Sequence, residues 1–287
     1  MKRNWIAALI LLFSIGAFAQ FRGRGAGGFG GGGGGFGGAV GGGAQTGGRC
    51  LVPGYRGTGE EDLSTPRDLN RSAFVYARVK YHTLPWRGET SEVPWHHDYP
   101  DGDTMLPASL ERLTTIHTTP DSYQIVDIDS KELFQYPFAY VSEPGYLNLL
   151  PGDVKNIREY LDRGGFLLLD DFRGNELDNS QFVNMETQLR KIFPERELEP
   201  VSPKHPIFHM VFDLNPLDML PPYRMFNSGE PQFLAISDSR GNIQIMVDFN
   251  NDLSEYWQAL DVGQCSIHDS SAAVELGVNY VVYAMTH

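Results

Sequence analysis

The chain reads as an α/β protein built on a mainly parallel sheet, and three observations carry that reading. First, residues 151–172 run helix, glycine, strand: apolar positions recur at Val154, Ile157 and Leu161, Gly164 stops the helix, and Phe166-Leu167-Leu168-Leu169 follows without polar alternation. A glycine takes the left-handed conformation that closes a helix without steric cost, and an unbroken apolar run suits a parallel strand covered on both faces. Second, strand-like and helix-like patterns alternate along most of the chain, which stacks helices across the faces of one sheet. Third, Phe233–Ile236 and Ile243–Val247 flank the turn-forming run Asp238-Ser239-Arg240-Gly241-Asn242, so a late β-hairpin is expected at the edge of the sheet.

The elements precede that hairpin in a regular order. Lys2 and Arg3 lead into an apolar run from Trp5 to Phe18 that closes on Ala17-Phe18-Ala19, so residues 1–19 are expected to be a signal peptide cleaved after Ala19. The run is well short of the ~20 residues that span a bilayer. Residues 20–72 follow as a glycine-rich disordered tether and irregular lead-in, because a segment such as Phe21–Gly48 cannot bury enough surface to offset its ordering entropy. The folded domain is expected over 73–287. It starts with a strand over Ala73–Tyr81, a long loop and a helix over Pro107–Thr118 that carries Leu110 and Leu113. Gln124–Ile128 and Phe138–Val141 read as the next strands, before the helix that begins at Pro151, a residue suited to a first helical position. Past the central strand, Ser180–Phe193 places Phe182, Met185, Leu189 and Ile192 on one helical stripe. The chain closes with a helical pattern over Ala272–Met285 in which Val274, Val278, Val281 and Met285 face one way.

Charge and cysteine content narrow the setting. A formal charge of -13 and a pI near 5.0 oppose a nucleic-acid partner, whose phosphates the summed field would repel. The expectation is an exported protein, periplasmic or extracellular, with no membrane span after signal cleavage. Two cysteines in such a chain permit a Cys50–Cys265 disulfide. The flexible arm around Cys50 supplies no geometric reason to prefer it over free thiols or bonds to another chain.

The carboxylates supply the site candidates. Asp170 and Asp171 leave the central strand at its carboxyl end, the rim where open α/β sheets bind ligands. Trp95, Asp98, Asp101 and Asp103 lie in the loop after the first strand, and Asn250 with Asp252 follows the last hairpin strand, so the fold can bring these groups to one edge. Oxygen-rich clusters suit Mg²⁺ or Ca²⁺, whereas His96 or His97 would recruit a transition metal. The plainer reading has Asp98 and Asp103 capping turns and the next helix while Asp170 and Asp171 bond backbone amides of the following loop. Neighbouring residues on a strand point to opposite faces, so Asp170 and Asp171 share a ligand only where the strand has ended. Trp95 and Trp257 read more readily as core or loop plugs than as stacking platforms, and His205 as shaping a turn. The candidate ligand-binding set is Trp95, Asp98, Asp103, Asp170, Asp171, Asn250 and Asp252, with Asp98 and Asp170 as candidate metal ligands. No catalytic residue and no cofactor is assigned.

Together these stretches form a resemblance. Trp95 with Asp98-Tyr99-Pro100 and Asp103, Phe134 with Tyr136-Pro137-Phe138, Tyr160-Leu161 with Gly164-Gly165-Phe166 and Asp170-Asp171-Phe172, His205-Pro206-Ile207-Phe208, Asn250 with Asp252, and the closing Tyr283-Ala284-Met285-Thr286-His287 resemble the DUF4159 family. The likeness covers nearly all of the chain after Ala73. It implies a flavodoxin-like three-layer α/β/α sandwich similar to class I glutamine amidotransferase-like domains, with no known function. It also implies an envelope protein partner, since longer relatives carry the domain beside membrane segments and are associated with von Willebrand A domain proteins and a MoxR-type ATPase. A glutaminase of this fold needs a cysteine on a turn between strand and helix. Cys50 and Cys265 both lie elsewhere, and Ser142 sits in Ser-Glu-Pro-Gly rather than in a Gly-x-Ser-x-Gly elbow, where the family usually has an acidic residue nearby. Three functions remain: a non-catalytic domain binding a partner or small ligand in the cell envelope, which is preferred; a metal-dependent hydrolase using the loop carboxylates; and a structural domain without a ligand site.

Overall fold

The computed structural model describes residues 50, 73–85, 93–119, 122–222, 229–260, 263 and 265–287, so the expected signal peptide and glycine-rich arm lie outside the described residues. Its strands are β1 (Tyr76–Lys80), β2 (Tyr123–Asp127), β3 (Phe138–Ser142), β4 (Phe166–Phe172), β5 (Glu199–Pro200), β6 (Gln232–Ser237) and β7 (Ile243–Phe249). They form one sheet in the order β2-β1-β3-β4-β7-β6-β5, parallel from β2 to β7 and antiparallel beyond. The order 2-1-3-4, with β7 in fifth place, is that of a flavodoxin-like doubly wound sheet, whose switch point falls between β1 and β3.

Helices cover both faces because the central strands are apolar on both. On one face α1 (Asp101–Leu113), α4 (Leu253–Gln258) and α5 (Ile267–Thr286) bury Leu106, Trp257 and Tyr280 against Tyr140, Phe166 and Leu168. On the other, α2 (Pro151–Asp162) and α3 (Ser180–Ile192) bury Ile157, Leu161, Met185 and Leu189 against Val141, Leu167 and Leu169. In α2 the Asp153 carboxylate accepts the Leu150 amide at 2.8 Å, closing the first turn that Pro151 opens. Among the described residues no helix is long and apolar enough to cross a membrane.

Three local expectations are corrected, and one short helix is added. The helix placed at Pro107–Thr118 runs Asp101–Leu113 with Pro107 inside it, because Asp101 and Asp103 in its first turn are the true start signal. The hairpin is not at the sheet's edge: β7 pairs with β4 and is buried along its whole length, and two-residue β5 lies outside β6. The last helix begins at Ile267, and its Met285 is 46 % exposed while Val274, Val278 and Val281 are buried. The six-residue α4 is too short to show a period in the sequence. Cys50 is bonded to Cys265 across 215 residues, which ties the lead-in to the start of α5.

Candidate functional site

Among the described residues, four other than glycine hold left-handed backbone: Asp98 (φ 61), Glu143 (φ 48), Asp171 (φ 63) and Asn250 (φ 59). They lie in the β1–α1 connection, directly after β3, within the end of β4, and directly after β7, so all belong to the carboxyl rim of the parallel strands. Each such conformation costs about 1 to 3 kcal/mol and persists only where its surroundings hold it.

The surroundings are visible for each turn. Buried Arg78 on β1 grips Asp103 through Nε and Nη2, and its Nη1 donates to the carbonyls of Trp95 at 3.1 Å and His97 at 2.9 Å. The loop carrying Asp98 therefore hangs from a core arginine. Tyr81 donates its hydroxyl to the carbonyls of Ser142 and Glu143, both at 2.8 Å, and Gly145 follows because a Cβ there would lie 2.5 Å from Gln181 Cβ on α3. At β4, Leu169 and Phe172 face Val247 and Phe249, so three steps match two and one residue is extra. This bulge, with Asp171 in left-handed backbone, breaks the strict alternation that would have sent Asp170 and Asp171 to opposite faces.

Three of the seven sequence candidates converge. Carboxylate oxygens of Asp98, Asp171 and Asp252 lie within 4.8 Å of one another, as do ligand atoms of His97, Glu143 and Asp171. His97 Nδ1 lies 2.7 Å from Asp171 Oδ2 and 3.4 Å from Asp98 Oδ1. Arg173 Nη2 donates to Asp171 Oδ1 at 2.9 Å and lies 3.7 Å from Asp252 Oδ2. From α4, Ser254 Oγ donates to Asp98 Oδ2 at 2.5 Å, Gln258 Nε2 donates to Asp98 Oδ1 at 2.7 Å, and Asp252 Oδ1 caps the helix by accepting the Glu255 amide at 2.9 Å.

The other four have partners away from that cluster. Trp95 is packed in the core beneath Lys80, and Asp103 is the buried partner of Arg78. Asn250 accepts the Gly174 amide at 2.9 Å and donates to the Glu230 carbonyl at 3.2 Å, bracing the rim. Asp170 Oδ2 accepts from Tyr140 Oη at 3.1 Å and from the amides of Leu253 and Ser254 at 2.8 and 3.3 Å, so it bonds backbone amides at the start of α4 and not in the following loop. Trp257 is a core plug.

Crowding sets the electrostatics. Burial, then Asp171, pushes Glu143 up to about 8; burial, then Asp98, pushes Glu255 up to about 8; burial, then Asp171, pushes Asp170 up to about 7. Asp252 is raised well above the ordinary carboxylate value by burial and then by Asp171, Asp98 and Glu255. Burial opposes charge on both Asp171 and His97, yet His97 and Arg173 hold Asp171 below its ordinary value, while Asp98 and Asp171 hold His97 above its own. A charged Asp171–His97 pair thus sits among carboxyls that resist ionisation.

Asp248, on β7, extends the same logic into the core. It accepts from Tyr280 Oη at 3.0 Å, while its Oδ2 has no hydrogen-bond partner, and burial followed by the Asp170 charge raises it well above the ordinary value. A carboxyl raised in the folded state holds its proton after the unfolded chain has released it, so stability falls as pH climbs from about 4 toward the folded value. Asp248→Asn is therefore expected to stabilise the protein by about 1 to 3 kcal/mol at and above neutral pH, the gain fading toward pH 4. Denaturant midpoints across that range measure it, and a pH-independent effect would contradict the assignment.

Several residues of the site escaped the sequence. Glu143 lies in the Ser-Glu-Pro-Gly stretch after β3, and its left-handed backbone shows only in the structure. Arg173 follows the Asp-Asp-Phe run, and Glu255 sits on α4, whose shortness hides it.

No curated protein matches the chain. The family described as a domain of unknown function (DUF4159) matches residues 75–285, a span that takes in every strand of the sheet and all three converging carboxylates. By that match the chain belongs to the DUF4159 family.

Proposed function

We propose that the protein is an exported, non-catalytic binding domain of the cell envelope that receives a small ligand or a charged group of a partner protein in the rim crevice. Export is supported by the charged start, short apolar run and Ala-Phe-Ala sequence of residues 1–19. The observation that carries the binding reading is the approach of Asp98, Asp171 and Asp252 to within 4.8 Å from three separate connections. Like charges gathered in a buried place oppose folding, so their gathering at the sheet rim is better accounted for by a bound partner than by stability.

A metal-dependent hydrolase is the second reading. In its favour, ligand atoms of His97, Glu143 and Asp171 lie within 4.8 Å of one another, a histidine-and-carboxylate set of the kind that holds a catalytic metal. The two readings part on turnover.

The test is melting of the whole chain against a panel of divalent cations, amines, basic peptides and neutral sugars, with Asp98→Ala and Asp252→Ala alongside. At least one class is expected to raise the melting point of the wild type, by the equivalent of about 2.7 kcal/mol at a hundredfold excess over its dissociation constant. That rise should vanish in both variants. If the variants alter only melting and no class acts on the wild type, the rim is structural.

A further inference from the structure

Resting on that reading and naming its ligand, we propose that the crevice is a binding site for a hard divalent cation, Ca²⁺ or Mg²⁺, held by carboxylate oxygens of Asp98, Asp171 and Asp252. The three oxygens come from three different rim connections and already lie within 4.8 Å of one another, so they need only a small contraction to meet an ion at 2.0–2.6 Å. Each carboxylate is also oriented from behind. Ser254 and Gln258 hold Asp98, the Glu255 amide holds Asp252, and Ser142 Oγ stands 3.4 Å from Asp171 Oδ2. Outer hydrogen bonds of this kind fix the ligands of metal sites.

A gathering of acids alone would not require a ligand. The second observation is that buried polar atoms around it are left without partners. Gln258 Nε2 donates to both Asp98 Oδ1 and Glu255 Oε2, which places both side chains against the cluster, yet Glu255 Oε1 and Gln258 Oε1 have no hydrogen bond and each residue is 1 % exposed. Two unpaired acceptor oxygens beside three carboxylates are what an ion, or the water shell it carries, would satisfy.

The charges facing the crevice agree. His97, Asp98, Glu143, Asp171, Arg173, Asp252 and Glu255 give five carboxyls against one histidine and one arginine. Arg173 touches Asp171 and approaches Asp252, so its positive charge competes with an ion for both carboxylates.

Isothermal titration and melting of the metal-stripped full chain with Ca²⁺, Mg²⁺ and Zn²⁺ test the site, with Asp252→Asn, Arg173→Gln and His97→Ala. Ca²⁺ or Mg²⁺ is expected to bind one site and raise the melting point. Asp252→Asn should weaken that binding about tenfold or more while melting no lower than wild type without metal, since the amide keeps the oxygen that caps α4 and takes a carboxyl out of a crowded acidic cluster. Arg173→Gln should bind the ion at least as tightly. Two results overturn the site: no response to Ca²⁺ or Mg²⁺ up to about 10 mM, roughly tenfold above the weak limit for extracellular modules, or equal responses in wild type and Asp252→Asn. Binding of Zn²⁺ alone, lost in His97→Ala, would also overturn it and move the ion to His97, Glu143 and Asp171. If cations fail but an amine or peptide binds and depends on Asp98 and Asp252, the inference falls and the binding domain stands.

Discussion

Arg78→Ala is expected to destabilise the protein by about 3 to 5 kcal/mol, because it leaves Asp103 charged or reprotonated in a fully buried place with no partner. For a domain of this size that lowers the melting point by roughly 6 to 20 °C. The guanidinium makes three kinds of contact: two bonds to the Asp103 carboxylate, the carbonyls of Trp95 and His97, and the faces of Tyr99 and Tyr140. The loop it suspends carries His97 and Asp98, so ligand binding should weaken with stability. Arg78→Met with Asp103→Leu should recover most of the loss, since replacing both partners of a buried pair by apolar groups is often neutral or better. Urea midpoints for the two single variants and the double variant form the measurement. A loss below about 1 kcal/mol for Arg78→Ala would mean the pair does not hold the loop.

Trp257→Ala should cost about as much, roughly 3 to 5 kcal/mol, for a different reason. The ring is fully buried, lies 5.9 Å from the Tyr140 ring, and donates Nε1–H to the Ala273 carbonyl at 3.0 Å. Gly277 lets α5 come close: a Cβ there would lie 2.8 Å from Trp257 Cζ2. Truncation leaves a cavity between α4 and α5 and removes the indole's bond to the Ala273 carbonyl. Because α4 also carries Ser254, Glu255 and Gln258, its loosening should reduce ligand binding beyond the fraction unfolded. Trp257→Phe keeps most of the volume and should lose less. Equilibrium unfolding with ligand titration at a temperature where every variant is folded separates the two effects; a variant that melts early but binds normally would show α4 is positioned by other contacts.

Much of the molecule could be read locally. Gly164 between Leu161 and Phe166, Pro151 at the head of α2 and the spacing of Met185, Leu189 and Ile192 each state a conformation within a few residues. The same kind of reading put carboxylates after the first, central and late strands at one edge, and Asp98, Asp171 and Asp252 do meet there. It erred where a local signal had a rival, as at Pro107, which tolerates an interior helical position although it would sooner begin one.

By itself the sequence determined the types and order of the longer elements, the double-sided burial of the central strand and the family, because periods of 2 and 3.6 record which faces are buried and are written in neighbouring residues. Tertiary structure decided the rest. The pairing of β7 with β4, the bulge that separates Asp170 from Asp171, the disulfide across 215 residues and the contact of Gln258 with Asp98, 160 residues away, are choices between partners that no local period records. So too are the left-handed turns at Asp98, Glu143 and Asp171, conformations these residues seldom adopt unaided, which hold because Arg78, Tyr81 and the neighbouring strand fasten the backbone on either side.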